Sequence, residues 1–447
     1  MTPLQLKEIC AVLGSKCSRD ETITGISTDS RKISKGCLFV ALKGERFDGH
    51  DFVEAAFEHG AVAALCSEPV EADGEVILTA DTGAALLKIA GYYRSLFSIP
   101  VVGVTGSVGK TTTKEMIWCV LSKKYHTLKN EGNLNNTIGL PTTVFRLDST
   151  HEAAVLEMGM NNFGEISKLS VTAQPSVAVI TNIGRSHMEF LGSREGILKA
   201  KLEILDGLRK NAPLIVNGDD DLLRNVKAED HPVITFGIDN ENCDYVAKDI
   251  ETAGEKTVFN VVFGENTQKV TLPCVGRHNV LNALAAFAAG IETGVDPEKA
   301  SEGLGDYVPS GMRQRFTEFN GITLIEDCYN AGPDSVKAAI EVLKTLTARS
   351  KILVFGDMLE LGSISEEAHR EVGEQAPLAG ISTLFTYGSL AAFAAEEAAK
   401  RGINAVSFTD KGELAQALKN TLVPGDTVLF KASRGMRLEE VIEAYKN

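Results

Sequence analysis

The chain lacks a surplus of positive charge: 45 lysines and arginines stand against 60 aspartates and glutamates, a net charge of −15, and no basic run breaks that balance. A surface that neutralises a phosphate backbone needs the opposite sign, which argues against a nucleic-acid partner while leaving room for an anionic small molecule in a locally positive cleft. Long apolar runs are missing as well. No stretch approaches the roughly 20 residues that cross a bilayer, and the opening MTPLQLKEIC carries no charged-then-apolar leader. The expectation is a soluble, cytoplasmic protein with no membrane insertion. Eight cysteines, at positions 10, 17, 37, 66, 119, 243, 274 and 328, form no CxxC pair, so buried free thiols are favoured over disulfides or a zinc site. No feature signals an oligomer, and a monomer is expected.

What is present is length and enough apolar residues for several cores. At about 100 to 200 residues per domain, 447 residues of which 44% are hydrophobic predict two to four domains. The most informative stretch is VVGVTGSVGKTTTK, residues 101 to 114. Ile99, Val101, Val102 and Val104 read as a buried strand that runs through Gly106 and Gly109 into Lys110, Thr111 and a helical pattern. That is a phosphate-binding loop. Its glycines let successive N–H groups face an anion, Lys110 reaches the outer phosphates, and the Thr111 hydroxyl suits Mg²⁺. The usual GxxxxGK[ST] spacing is altered, because Val104 stands at the first glycine position. ATP is the expected ligand, cradled by Thr105, Gly106, Ser107, Val108, Gly109, Lys110, Thr111 and Thr112.

Around this loop the chain predicts an α/β protein of three domains. Residues 1–82 form a small α/β N-terminal domain, 83–312 a central phosphate-loop domain with a mostly parallel sheet, and 313–447 a C-terminal Rossmann-like α/β domain. In the first, the clusters STDSR (27–31) and FVALKGERFDGH (39–50) read either as turns and helix caps or as a site for an anionic, hydroxyl-rich ligand. In the second, the strand at 153–156 ends in Glu157, where ligands collect in parallel sheets and a Mg²⁺ ligand belongs. The strand at 177–181 leads into a loop carrying His187, expected on the same edge. The helix expected over 194–208 presents Lys199 to Glu195 and Glu203, as a solvated ion-pairing residue, and turns Lys201 inward. An inward lysine needs a partner or altered chemistry. The acids Asp219, Asp220 and Asp221 read as a solvated turn. Strands feeding 326–333, 356–362 and 431–435 place the loops of the last domain toward the central one, to complete a shared site.

Taken together, TGSVGKTTTKE, EMGMNNFGEI, ITNIGRSHMEFLGSREGILKAKLEI, GRHNVLNALAA, DCYNAGPDS and VFGDMLELG, in that order, resemble the Mur ligase superfamily, the ATP-dependent amide-bond formers of peptidoglycan synthesis. The likeness covers nearly the whole chain. It is strongest to the branch that adds D-alanyl-D-alanine to UDP-N-acetylmuramoyl-tripeptide, since TGSxGKTT alone also occurs in folylpolyglutamate synthases. Cys328 departs from the family, which more often has serine there.

The resemblance implies a role for each matching position. Lys110 and the loop amides would hold the β and γ phosphates, and Thr111 with Glu157 a first Mg²⁺. His187 would help hold a second metal. Lys201 matches the lysine that family members convert with CO2 into a metal-binding carbamate. Asn279, Arg313, Asp327, Tyr329 and Asn330 would surround adenosine and phosphates from the domain junction. Asp29, Ser30, Arg31, Lys43, Gly44, Asp48 and His50 are assigned to the uridine diphosphate end, and Asp357, His369 and Lys431 to Arg434 to the dipeptide. The implied reaction phosphorylates the peptide carboxylate with ATP and passes the acyl group to the dipeptide amine, releasing ADP and phosphate. The competing readings are a sibling ligase or folylpolyglutamate synthase with another amino substrate, and a nucleotide-sensing module without catalysis.

Overall fold

The computed structural model describes every residue except Glu45, Arg46, His187 and Ser310. Three sheets organise it. The N-terminal one is wholly parallel, with strands Gly25–Ser27, Cys37–Val40, Ala61–Cys66 and Glu75–Leu78 side by side in chain order. Its two central strands, Cys37–Val40 and Ala61–Cys66, are covered on both faces and are apolar throughout. Leu38, Val40, Ala63 and Leu65 face one way, while Phe39, Ala64 and Cys66 face a smaller cluster on the other.

The central sheet has nine strands. From one edge they run Thr127–Lys129, Ala153–Glu157, Val101–Thr105, Val177–Ile180, Leu214–Asn217, Val233–Gly237 and Tyr245–Ala253, all parallel. An antiparallel pair, Lys256–Phe263 and Asn266–Leu272, extends the other edge. Alternation sorts the side chains. Val102, Val104, Val155 and Val179 meet helices Lys110–Leu121 and Arg277–Glu292, whereas Val101, Ala154, Leu156 and Ala178 meet Thr82–Ser95 and Glu165–Ala173. The second of these cores runs on beneath the N-terminal sheet through Leu86, Ile89 and Ala90. After Val101–Thr105 the chain builds first one side of the sheet and then the other, so loops diverge at its carboxyl end and leave a crevice there.

The third sheet is ordered Arg315–Phe319, Ile322–Asp327, Thr427–Lys431, Lys351–Gly356, Ile381–Tyr387 and Asn404–Phe408, antiparallel only between the first two. Its carboxyl ends face the crevice of the central sheet.

Two local expectations are revised. The helix read over 194–208 is α-helical only over Arg194–Leu202 and tightens into a 3₁₀ turn, Glu203–Gly207. Glu203 is drawn off toward another helix: its carboxylate accepts from the Gly164 and Ser167 amides at the start of Glu165–Ala173. Lys199, exposed as expected, leans over the Phe163 ring at 5.8 Å. The acids at 219–221 are working caps instead of a solvated turn. Asp220 accepts from Ile183, Leu222 and Leu223, Asp219 from Ile238, Asp239 and Asn240, and Asp221 pairs with Arg194.

Candidate active site

The phosphate loop takes its shape from two glycines that no other residue could replace without movement. Gly106 has φ +149°, and a Cβ there would stand 1.8 Å from the Thr181 hydroxyl; Gly109 has φ +84°, and its Cβ would meet Asn282 at 2.5 Å. The neighbouring strand holds the loop down. Asn182 accepts from the Ser107 and Val108 amides, and Thr181 Oγ1 donates to the Val108 carbonyl at 2.6 Å. Those two amides are therefore already committed, and the N–H groups offered to phosphate are the ones opening helix Lys110–Leu121. Thr105 lies wholly buried behind the loop, where its hydroxyl donates to the Met158 carbonyl at 2.9 Å. Its side chain supports the loop and does not reach the cavity.

Lys110 curls over the loop and donates to the Gly106 carbonyl at 2.9 Å. Burial pushes its ammonium below the ordinary lysine range; Glu157 opposes that shift and Arg313 adds to it. Glu157, 2% exposed, closes its strand beside the loop. Asn135 donates to its Oε1 at 2.7 Å, Lys114 lies 3.9 Å from Oε2, and Oε2 has no hydrogen-bond partner among the described residues. An ionised oxygen buried without a donor is costly unless a cation completes it. With the Thr111 hydroxyl on the same cavity, this donor set fits an oxygen-seeking divalent ion. Asn130 positions Glu157, accepting from its amide and donating to its carbonyl. Lys114, wholly buried, donates to the Asn130 carbonyl at 2.8 Å. Asn130 and Asn135, at either end of a polar loop, thus bracket Glu157.

Lys201 is 1% exposed. Burial drives its pKa well below that of an ordinary lysine, and Lys110 pushes it the same way. No carboxylate among the described residues stands within salt-bridge distance of it. His187 lies outside the described residues.

A cavity of about 250 Å³ joins the central and C-terminal sheets. Ser107 to Thr112 and Glu157 line it from one side, Asn279 and Arg313 from the junction, and Asp327, Tyr329 and Asn330 from the other. Arg313 stacks on the Tyr329 ring, 3.7 Å from its centroid. Lys431 Nζ pairs with Asp327 at 3.0 Å and donates to the Asn330 carbonyl at 2.7 Å. Lys431, assigned to the dipeptide, thus belongs to the nucleotide cavity. His278, Asn282, Tyr307 and Gln314 also line it and were not singled out from sequence. Asn282 was legible in GRHNVLNALAA, three residues after Asn279 and so one helical turn along the same face.

The remaining dipeptide candidates serve the fold. Asp357 accepts from the Leu390 and Ala391 amides, His369 is wholly buried between the Ser365 carbonyl and the Met358 amide, and Arg434 pairs with Glu439 on the surface. Among the uridine candidates, Asp29 caps the turn Ser30–Lys32 and holds Arg31 in a two-point ion pair at 2.9 and 3.0 Å. Asp48 binds both Lys43 at 2.9 Å and His50 at 2.5 Å. His50 accepts from the Ser67 amide on its other nitrogen, so it braces the loop and has no lone pair left for a ligand. Lys43 borders a groove of about 870 Å³ between the N-terminal sheet and the central domain; Asp29, Ser30, Arg31, Gly44, Asp48 and His50 do not.

A phosphate-loop α/β domain whose nucleotide cavity is completed by a second doubly wound domain defines a multi-domain nucleotide-binding enzyme. Three family models match the chain: the Mur ligase family catalytic domain over residues 22–90, the Mur ligase middle domain over 104–290, and the Mur ligase glutamate ligase domain over 312–434. The chain belongs to the Mur ligase family. It is 48% identical to the UDP-N-acetylmuramoyl-tripeptide–D-alanyl-D-alanine ligase of Bacillus subtilis, over 94% of this chain and 93% of that one. The enzyme of the same name from Escherichia coli is 37% identical over 99% and 98%. Among solved structures, MurF from Acinetobacter baumannii superposes with a TM-score of 0.93 at 33% identity, covering 100% of this chain and 99% of that one. MurF ligase from Thermotoga maritima in complex with ADP gives 0.85 at 32%, covering 94% and 96%.

Proposed function

We infer that this chain is an ATP-dependent ligase that joins D-alanyl-D-alanine to the terminal carboxylate of UDP-N-acetylmuramoyl-tripeptide, through an acyl phosphate, yielding the UDP-linked pentapeptide, ADP and phosphate. The observation that carries the reading is one cavity in which Lys110, Thr111 and Glu157 face Arg313, Asp327 and Asn330 across the domain junction. Its chemistry suits activation of an acid by ATP.

A carboxylate cannot expel oxide, so it must first be given a better leaving group. In this reading the tripeptide carboxylate attacks the γ-phosphorus, the bond to the β-phosphate oxygen breaks, and ADP leaves. Lys110 and the first amides of its helix bear the charge that spreads over the transferring group. Thr111 and Glu157 would hold Mg²⁺, which supplies further charge neutralisation when bound. Lys201, whose pKa burial lowers, is suited to add CO2 with loss of a proton, and its carbamate with His187 would hold a second cation. The dipeptide amine then attacks the acyl carbon, and phosphate departs as the amide forms. Arg313, stacked on Tyr329 at the hinge, and Asp327, held by Lys431, are fixed on the C-terminal side of the cavity, and closure of that domain over the nucleotide would keep water from the acyl phosphate. Lys43 is assigned to the end of the site that meets the UDP-linked substrate.

The lining residues of the cavity come from one chain, which supports a monomer, and nucleotide-linked substrates and ATP support a cytoplasmic setting. The test is phosphate release from ATP. Release is expected only with UDP-N-acetylmuramoyl-tripeptide and D-alanyl-D-alanine both present; equal release with either omitted overturns the assignment. Replacing the dipeptide by single amino acids separates this enzyme from a sibling ligase.

A further inference from the structure

We propose that Gln314 reads the nucleoside half of ATP, its side-chain amide donating to an acceptor on the base or ribose; the proposal rests on the nucleotide reading above and adds a specificity-determining residue to it. Gln314 is 9% exposed, lines the nucleotide cavity, and its Nε2 has no hydrogen-bond partner among the described residues. Buried donors are nearly always paired, so a lone one on a residue that lines a binding cavity marks a place for a ligand acceptor.

The orientation of that amide is fixed by its neighbours, not chosen freely. Asn279 Nδ2 donates to the Val275 carbonyl at 2.9 Å, so it is a nitrogen, and the Gln314 atom 2.6 Å from it must be the oxygen. Upstream, Asn282 Nδ2 faces Asn279 Oδ1 at 3.4 Å, and the Thr113 hydroxyl donates to Asn282 Oδ1 at 3.1 Å. Thr113, Asn282, Asn279 and Gln314 therefore form a directed relay. It starts on the helix behind the phosphate loop, where Asn282 lies against Gly109, and ends at the unpaired Nε2 of a residue that lines the cavity. The same cavity is lined by Cys274, Ala338 and Ala339, with Val342 of the helix that carries both alanines against Gly276, apolar groups that suit a nucleoside better than a phosphate.

The backbone supplies a second, independent sign. Gln314 has φ +51°, a conformation that side chains seldom adopt and that persists when surroundings impose it. Its amide donates to Asp327 Oδ1 at 3.3 Å, and Asp327 is itself anchored by Lys431. His278 leans on the same side chain and is held below the usual histidine range by burial. The hinge thus holds a strained residue in the cavity wall beside Arg313.

The experiment is a double-mutant cycle between protein and ligand, read by calorimetry on the full chain. Wild type and Gln314→Met are titrated with ADP, with its 1-deaza, 3-deaza, 7-deaza, 2′-deoxy and 3′-deoxy analogues, and with inorganic tripolyphosphate. Gln314→Met is expected to weaken ADP about tenfold, the usual cost of one lost hydrogen bond in a buried site, and to leave tripolyphosphate unchanged. One analogue is expected to lose the same factor against wild type and nothing further against the variant. Should Gln314→Met fold poorly, Gln314→Glu keeps the acceptor for Asn279 and completes the same cycle. Equal weakening of ADP and tripolyphosphate, or additive losses for every analogue, would overturn the proposal. A wild type that binds no ADP sinks the nucleotide reading itself, a different result.

Discussion

Two buried charges at the centre of this molecule are handled in opposite ways. Glu157 keeps one oxygen, Oε2, buried without a hydrogen-bond partner among the described residues, an arrangement that a cation would complete. Lys201 is buried with its ammonium disfavoured, so its cheapest form is the free amine. A lysine whose folded pKa lies below its unfolded value gives up a proton on folding, and stability rises with pH between those two values. At neutral pH the group is therefore a burden on the fold that its chemistry must justify. Lys201→Met, an apolar side chain of similar length, is expected to raise Tm in bicarbonate-free buffer while turnover falls at least about a hundredfold. Differential scanning calorimetry and phosphate release check the two halves. A variant with unaltered turnover would remove Lys201 from the machinery.

At the scale of elements, the phosphate loop shows why a strand–loop–helix unit works only with its neighbours. The Val101–Thr105 strand delivers the loop, but Thr181 and Asn182 from the adjacent strand end fix its path. Gly106→Ala would drive a methyl into Thr181 at a φ that alanine avoids. A loss of at least about 2 kcal/mol in unfolding free energy is expected, together with loss of ADP binding by calorimetry; an alanine variant with both intact would show that the loop is adaptable. This division explains what the sequence disclosed. The apolar runs and the GKTT that follows them made the strand, loop and helix plain, because period and turn chemistry are local. Glu157 was legible for the same reason, standing at a strand end. Asn130 and Gln314 were not, since their roles are set by contacts 27 and 35 residues away, with Glu157 and Asn279. Asp357, after a strand, and His369, on the following helix, were read as dipeptide contacts, and in the fold they bind backbone groups, which polar residues near strand ends do as readily as they meet a substrate.

On the scale of the whole molecule, the catalytic reading needs the last two domains to close, and one loop supplies a latch. Arg185, three residues beyond Asn182, makes a two-point ion pair with Glu371 of helix Ser365–Leu378 at 3.0 and 2.8 Å. Its backbone amide donates to Asp334, in the first turn of helix Pro333–Thr345, at 2.9 Å. The loop that secures the phosphate-binding amides thus also clasps the other domain, so nucleotide seating and closure share one element. Both partners of the ion pair are about one-third exposed, which limits it to about 1 kcal/mol, roughly a fivefold shift in the closed population. The Arg185 guanidinium holds the Glu371 carboxylate below its ordinary range, and Glu371 raises Arg185 in return. For a depressed carboxylate the contribution is complete above the unpaired value, about 4.3, and fades as pH falls through the folded one. Closure measured by small-angle scattering should therefore weaken on acidification below about pH 4.5 in wild type, with no such term in Glu371→Gln. Arg185→Glu alone should raise KM for ATP about fivefold, and adding Glu371→Arg should restore it. If the charge-swapped double variant is no better than the single one, the ion pair does not hold the domains together.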